Sequence, residues 1–320
     1  MDIPDVAQKW PSAVYEVVIG QDSDKGGTRS SSVKIGGATG LPFLFFEGEY
    51  RNRQLFALEV WDIEPNDWHQ TLAMYYKDVW HEPGTWAKKC ATELGADIVC
   101  LRLQGCDPDG ANMDSDHAAE AVRQVLNAVS CPIIVWGCGN DEKDNEVFTA
   151  VSQTAAGEQC LLGAINQDNY RTLVALCKAD KHKVVAESPV DINIAKQVNI
   201  LATDTGLAPE DIVIYPSTGA LGYGMEYVYS IMERGRQAGL SGDTLWAMPI
   251  LADIGKEVWK VKEATASSEV VPEWGPQEQR GPMWEAVTGL VYLQAGADVV
   301  VMRHPVALQE LKAYVVSITG

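Results

Sequence analysis

Two apolar runs flank an amphipathic segment in residues 96–137, which read ADIVCLRLQGCDPDGANMDSDHAAEAVRQVLNAVSCPIIVWG. The runs at 96–103 and 132–137 are apolar at nearly every position, which is typical of strands buried on both faces of a parallel sheet. Between them, residues 115–130 carry apolar side chains at helical spacing. This stretch therefore predicts a strand, a helix and a second, parallel strand.

The same alternation continues from residue 54 towards the C-terminus. A helix predicted at 226–239 ends at Gly239, since a helix C-terminus favours a residue with left-handed backbone. A last helix is predicted at 306–316. Eight strand–helix units favour an α/β fold, a (β/α)8 TIM barrel over residues 54–320, with an open doubly wound sheet as the alternative. The predicted strands are 55–61, 96–103, 132–137, 160–165, 183–188, 211–217, 244–251 and 297–303.

Residues 1–53 lie outside this repeat. VYEVVIG (14–20) and SSVKIGG (31–37) alternate in polarity, and the loop between them is rich in turn-forming residues. The sequence therefore predicts an N-terminal β-hairpin extension over 1–53, separate from the barrel. Such a hairpin either covers one end of the barrel or meets a partner.

The chain is acidic, with 25 Lys and Arg against 44 Asp and Glu among 320 residues and a formal charge of −19. This charge repels nucleic-acid backbones and anionic membrane surfaces. No apolar run approaches the ~20 residues needed to span a bilayer. The N-terminal residues also lack the basic and apolar regions of a signal peptide. We therefore expect a cytoplasmic protein with no nucleic-acid or membrane partner.

The chain contains seven cysteines but no C-x-x-C pair. Zinc and iron–sulfur sites usually take two ligands at such short spacing. An odd number of cysteines also argues against a complete disulfide framework. We expect most of these side chains to pack as small apolar groups, and we predict no metal site on them.

Polar and glycine-rich segments follow the predicted strands, and in a TIM barrel these strand ends form the functional face. They bring no nucleophile, base and orienting group together, so no catalytic residue is predicted. Two long aromatic-rich connections, 62–84 and 252–284, flank the same face and are typical of lids or docking surfaces. Three acids and one histidine, each at a different strand end, could together bind a divalent metal ion, so a metal-dependent lyase stays an alternative. These residues are Asp62, Glu187, Asp253 and His304.

The segment after the sixth strand, STGALGYG (217–224), is the richest in glycine among these ends. Glycines of this kind let the main chain approach a ligand closely, and the alternative is a flexible hinge. Together with the small residues at the other strand ends, the segment predicts a mouth that holds or covers a flat ligand.

Long stretches of the sequence carry a resemblance to a known family. The stretches are KIGGATGLPFLFFEGEYRNRQLFALEVWDIEPNDW (34–68), GADIVCLRLQGCDPDG (95–110), CPIIVWGCGNDEKD (131–144), VVAESPVDINIAKQ (184–197), YPSTGALGYGMEY (215–227) and ADVVVMRHP (297–305). Over essentially the whole chain, the sequence resembles the small subunit of the corrinoid/iron–sulfur protein of the reductive acetyl-CoA (Wood–Ljungdahl) pathway, the acetyl-CoA decarbonylase/synthase delta-subunit family.

This resemblance implies a non-catalytic methyl-carrier subunit that pairs with a larger subunit. The larger subunit would carry a [4Fe–4S] cluster, and a corrinoid (a cobamide) would lie between it and the barrel mouth. The implied partners are a methyltetrahydrofolate:corrinoid methyltransferase, which donates methyl, and acetyl-CoA synthase/CO dehydrogenase, which accepts it. From their strand-end positions, the candidate cofactor-binding residues are Gln104, Cys106, Trp136, Gly137, Cys138, Gly139, Ser217, Thr218, Gly219, Ala220, Leu221, Gly222 and Tyr223.

The barrel is also similar to the pterin-dependent methyltransferases, whose strand ends read D-x-N and I-D-S-x-x. Here the corresponding segments are LRLQ (101–104) and VWGCGN (135–140), in which the acids are missing. A barrel methyltransferase that acts on its own stays the alternative function, since kinship of fold alone does not carry activity.

Overall fold

The computed structural model describes residues 6–319, and eight parallel strands within them form one curled sheet. The strands are β1 Glu16–Ile19, β2 Val33–Gly36, β3 Leu55–Trp61, β4 Ile98–Arg102, β5 Ile133–Trp136, β6 Leu161–Ile165, β7 Lys183–Ser188, β8 Ile212–Pro216, β9 Leu251–Asp253 and β10 Val299–Met302. The sheet order is β8-β7-β6-β5-β4-β3-β10-β9, and a single bridge between Ile214 and Ile250, the residue before β9, joins its two edges. The predicted TIM barrel is therefore confirmed.

The helices pack around the sheet, and short polar residues fix where several of them begin. Asp114 and Asn140 accept hydrogen bonds from the His117 and Lys143 backbone N–H groups, both at 3.0 Å. None of the helices in 6–319 is long and apolar enough to cross a membrane. They are α1 Gln70–Tyr76, α2 Pro83–Thr92, α3 Ser115–Ala128, α4 Asp141–Thr154, α5 Tyr170–Asp180, α6 Ile192–Asp204, α7 Glu226–Leu240, α8 Gly255–Val258, α9 Lys262–Thr265, α10 Gln277–Ala295 and α11 Pro305–Thr319.

The predicted N-terminal hairpin is present as the antiparallel pair β1–β2. Its apolar side chains Val17, Ile19 and Ile35 join the cluster that fills the barrel interior, so the hairpin covers the amino-terminal end of the barrel. Arg29, in the hairpin loop, forms a buried ion pair with Glu158 at 2.8 Å and fixes the loop beneath the strands. The division into domains at residues 53 and 54 stays a prediction.

Two details of the sequence prediction are wrong. The seventh barrel strand is Leu251–Asp253, and residues 244–249 are a turn followed by irregular backbone. The run contains the apolar residue Trp246 for a different reason, because its ring packs on α7. A side chain at Gly235 of that helix would lie 2.5 Å from the ring. Gly239 does not end α7 in a left-handed conformation, because the helix continues to Leu240. A side chain at Gly239 would instead meet the Trp246 backbone oxygen at 2.6 Å.

The hairpin's contribution to stability is testable with Ile35→Ala. Because Ile35 is fully buried against the strand starts, we expect the free energy of unfolding to fall by about 2–5 kcal/mol in urea denaturation. Lys34→Ala is the matched control, since the neighbouring side chain is exposed and its ion pair with Glu16 is long, at 3.6 Å. Equal losses in both variants would contradict the packing described.

Candidate functional site

Four charged side chains lie inside the barrel, towards the carboxyl ends of its strands. Glu59 on β3 forms ion pairs with Arg102 on β4 at 3.1 Å and with Arg303 after β10 at 2.8 Å. Arg102 continues the chain to Asp253 on β9 at 2.6 Å. All four side chains are buried, and their charges sum to zero, which offsets the cost of removing each from water.

The pairing decides the protonation of the two buried acids. Burial alone raises the pKa of Glu59, but Arg102 and Arg303 together lower that pKa below its ordinary value. For Asp253, burial outweighs the attraction of Arg102, and its pKa lies above the ordinary value. Glu59 is therefore the fixed anion on which both arginines depend.

Aromatic rings fill the space around these charges. The Arg102 guanidinium carbon lies 5.2 Å from the centre of the Trp136 ring, and Trp136 meets Tyr215 edge-on at 5.2 Å. The Arg303 guanidinium lies over Trp61 at 5.4 Å and Trp68 at 4.9 Å. The carboxyl end of the barrel interior is thus occupied by the chain's own side chains.

Two further ionisable groups lie beside this network. Burial raises the pKa of Glu187 on β7 to about 7, although the Lys256 ammonium opposes the shift. Burial also lowers the pKa of Lys256, and repulsion from Arg102 adds to the effect. Both groups are therefore shifted towards their neutral forms, which is characteristic of ionisable groups in a poorly solvated site.

A cavity of about 280 Å³ opens above the charged layer. Its walls come largely from the two long aromatic-rich connections, 62–84 and 252–284. Gln277 links them, because it accepts a hydrogen bond from the Thr71 hydroxyl and donates one to the Ala264 carbonyl, both at 2.8 Å. The lining residues are Trp61, Asp67, Trp68, His69, Leu72, Gln104, Asp107, Cys138, Lys256, Trp259, Lys260 and Arg303.

The candidate residues that follow β4 and β5 have different environments. Gln104 lines the cavity and donates to Asp107 at 3.1 Å, whereas the Cys106 thiol is fully buried in the core. Trp136 is buried inside the barrel. The Asp144 carboxylate holds the 137–139 loop, because it accepts hydrogen bonds from the backbone N–H groups of Cys138 at 2.8 Å and Gly139 at 3.0 Å.

Within that loop, only glycine fits at position 137, because the first side-chain atom of any other residue would lie 2.3 Å from Asp144. Cys138 lines the cavity, and burial raises the pKa of its thiol to about 12. Gly139 has a left-handed φ of 94° and open space around it. A contact between a ligand and Cys106 or Trp136 would require each side chain to become exposed, and the cofactor-binding role of every candidate residue stays a prediction.

The candidate loop 217–223 divides into buried and exposed positions. Thr218 is fully buried and its hydroxyl donates to the Asp253 carbonyl, which fixes the loop to β9. Leu221 packs into the core. Gly219 and Gly222 are exposed, and Tyr223 has 91% of its surface exposed. Ser217 and Ala220 are half-buried. The loop therefore has two anchored residues and an exposed rim.

Several residues of this site were not predicted as site residues. Glu59 and Arg102 are single charges within otherwise apolar strands, at positions that face the interior, and this pattern is the signal that could have revealed them. Lys256, Trp259 and His69 come from the long connections, where no periodicity indicates which side chains turn inward. The seven cysteines are free thiols, and five of them are buried. Among residues 6–319, no three His, Cys, Asp or Glu side chains could hold a metal ion together.

A model of the family described as CO dehydrogenase/acetyl-CoA synthase delta subunit matches residues 16–303. The acetyl-CoA decarbonylase/synthase complex subunit delta of Archaeoglobus fulgidus is 37% identical over 310 residues, which cover 95% of this chain and 68% of that protein. The subunit delta of Methanocaldococcus jannaschii is 34% identical over 317 residues, which cover 97% and 76% of the two chains.

Solved structures similar to this barrel include dihydropteroate synthases. The Xanthomonas albilineans enzyme with 4-aminobenzoic acid aligns with a TM-score of 0.55 over 86% of this chain and 97% of that one, at 14% identity. The Stenotrophomonas maltophilia enzyme aligns with a TM-score of 0.55 over 84% of this chain and 95% of that one, at 16% identity. At such identities the likeness extends to the fold alone.

The charged layer is testable with Arg102→Met. This substitution keeps an unbranched apolar stem but leaves Asp253 without its counter-ion and Glu59 with one arginine, so we expect a loss of about 3–5 kcal/mol in the free energy of unfolding. Arg123→Met removes an exposed ion pair with Glu120 and should cost less than about 1 kcal/mol. Similar urea midpoints for the two variants would rule out the proposed dependence on Arg102.

Proposed function

Because this chain belongs to the family of CO dehydrogenase/acetyl-CoA synthase delta subunits, we propose that it is the small subunit of a corrinoid methyl-carrier protein. In this proposal a larger subunit holds a [4Fe–4S] cluster, and a cobamide lies between that subunit and the mouth of this barrel. A methyltetrahydrofolate:corrinoid methyltransferase supplies the methyl group, and acetyl-CoA synthase/CO dehydrogenase receives it. The location of this assembly in the cytoplasm is part of the proposal.

The observation that carries the proposal is the filled interior of the barrel beneath an exposed rim. Glu59, Arg102, Trp136 and Arg303 occupy the space in which a barrel enzyme would bury a substrate. The cavity above them, at about 280 Å³, lies below the range of about 300–1,000 Å³ for pockets that enclose drug-sized ligands, so it is far too small to enclose a macrocycle. A macrocycle would therefore lie across the mouth, so the chain's role is that of a cover.

The rim has residues that fit a broad, flat ligand. Gly139 has no neighbouring heavy atom within 4 Å of where a side chain would begin, and Gly219 and Gly222 are also exposed. These positions allow close approach of the main chain, and the exposed Tyr223 ring adds an apolar surface. When bound, a cobamide supplies the cobalt that accepts and releases methyl. The rim's own role is to bind one face of the macrocycle and exclude water from it.

The alternative, a barrel methyltransferase that binds a pterin in its own mouth, is less well supported. The interior position on β4 carries Arg102, which is committed to Glu59 and Asp253, and the one on β5 carries Trp136. Neither offers an unengaged acid or amide to a pterin ring. The similarity to dihydropteroate synthases concerns the fold alone.

The proposal is tested by visible absorption spectra of anaerobically purified protein. We expect a corrinoid band when the chain is co-expressed with its larger partner and supplied with cobamide, and no band for the chain alone. Gly222→Trp should lower the amount of corrinoid retained, because the indole would occupy the rim, where the nearest atom to a new side chain lies at 3.5 Å.

Val316→Trp is the matched control, since Val316 is 67% exposed on α11 and borders the segment that leads into β3. It should leave the corrinoid band unchanged. Absence of corrinoid from the complex would contradict the carrier function. Corrinoid bound by the chain alone would contradict the shared site.

A further inference from the structure

Lys256 is a half-buried cation without a counter-ion. It lines the mouth cavity, and among residues 6–319 no carboxylate oxygen lies within 4.0 Å of its ammonium nitrogen and no hydrogen bond involves that ammonium. Three acids inside the barrel interact electrostatically with this ammonium: Glu59 and Asp253, which are already paired with arginines, and Glu187, which lies beyond ion-pair distance. The next lysine, Lys260, differs because it is exposed and pairs with Glu257 at 3.0 Å. An uncompensated cation of this kind is costly unless an anion binds beside it.

Arg303 adds a second unsatisfied donor to the same cavity. Its Nη2 atom donates to Glu59 at 2.8 Å, but its Nε–H has no hydrogen-bond partner among residues 6–319, and water does not replace that partner because the side chain is only 7% exposed. The rings of Trp61 and Trp68 hold the guanidinium in place. An ammonium and a guanidinium at one cavity are the donors that bind oxyanions with charge-assisted hydrogen bonds.

We propose that this cavity binds the carboxylate of a small organic molecule between Lys256 and Arg303. The charge balance favours a single negative charge, because Arg303 and Lys260 each have an acid partner and Asp67 and Asp107 also line the cavity. A dianion such as a phosphate monoester would be repelled by these acids. The Trp61 and Trp259 side chains in the wall suit a flat organic group next to the carboxylate.

Glu187 makes the binding depend on pH. The charged groups around it are Lys256, Asp253, Arg102 and Asp141, and Lys256 exerts the strongest attraction on its carboxylate. An ionised Glu187 therefore competes with an incoming anion for Lys256, whereas a protonated Glu187 does not. Because the pKa of Glu187 is about 7, we expect carboxylates to bind more tightly at pH 6 than at pH 8. Glu187→Gln should reduce this difference, and any part that remains reports the lowered pKa of Lys256.

The test is isothermal titration calorimetry of the full chain with benzoate, acetate and inorganic phosphate, without cobamide. We expect benzoate to bind with a Kd below about 1 mM and more tightly than phosphate. Lys256→Met should weaken benzoate binding by about tenfold or more, the effect of one charge-assisted hydrogen bond. Lys256→Arg, which keeps the charge, and Lys262→Met, the matched control at an exposed lysine of α9 that is not part of the cavity lining, should each change the Kd by less than about threefold.

Three results would overturn the proposal: no binding of either carboxylate by the folded wild-type chain, tighter binding of phosphate than benzoate, or equal losses in Lys256→Met and Lys262→Met. Thermal melting of each variant shows whether it is folded, and Lys256→Gln, which also removes the charge, replaces Lys256→Met if that variant is unfolded. The inference goes beyond the proposed function and is independent of it, because these titrations contain no corrinoid and no partner.

Discussion

The ion pairs of Glu59 with Arg102 and Arg303, at 3.1 and 2.8 Å, fix the arrangement of the barrel mouth. Glu59 is fully buried and holds two guanidinium groups inside the barrel. Arg102 in turn holds Asp253, the last residue of β9, and Arg303 lies against Trp61 and Trp68. Because a buried charge without its partner is strongly destabilising, none of the four charged side chains can leave this arrangement without a large loss of stability. What remains for function is the surface above it.

The two ends of the barrel are filled by different means. At the amino-terminal end, the apolar side chains of the β1–β2 hairpin join the interior cluster. At the carboxyl end, paired charges and aromatic rings replace apolar packing, and the cavity above them contains Lys256, which has no counter-ion. A filled interior suits a subunit that covers a ligand shared with a partner. A small polar cavity beneath the rim suits a second, smaller ligand.

The sequence was sufficient to predict the barrel, because parallel strands buried on both faces are apolar at nearly every position. The strand prediction was wrong for 244–251, because the apolar residue Trp246 packs on a helix and does not belong to a strand. The mouth was only partly predictable: Gly219, Gly222 and Tyr223 are exposed as a rim requires, whereas Cys106 is buried. The charged layer was missed because Arg102 pairs with residues 43 and 151 positions away, and spacing along the chain does not reveal such contacts.

The central claim, that the mouth covers a cobamide shared with a larger subunit, is tested most directly by hydrogen–deuterium exchange on the anaerobic two-subunit complex with and without cobamide. The account predicts slower exchange of the backbone amides in 137–139 and 217–223 when cobamide is bound, and no change in the β1–β2 hairpin at the opposite end. Unchanged exchange at the mouth of a complex that has bound cobamide would contradict it.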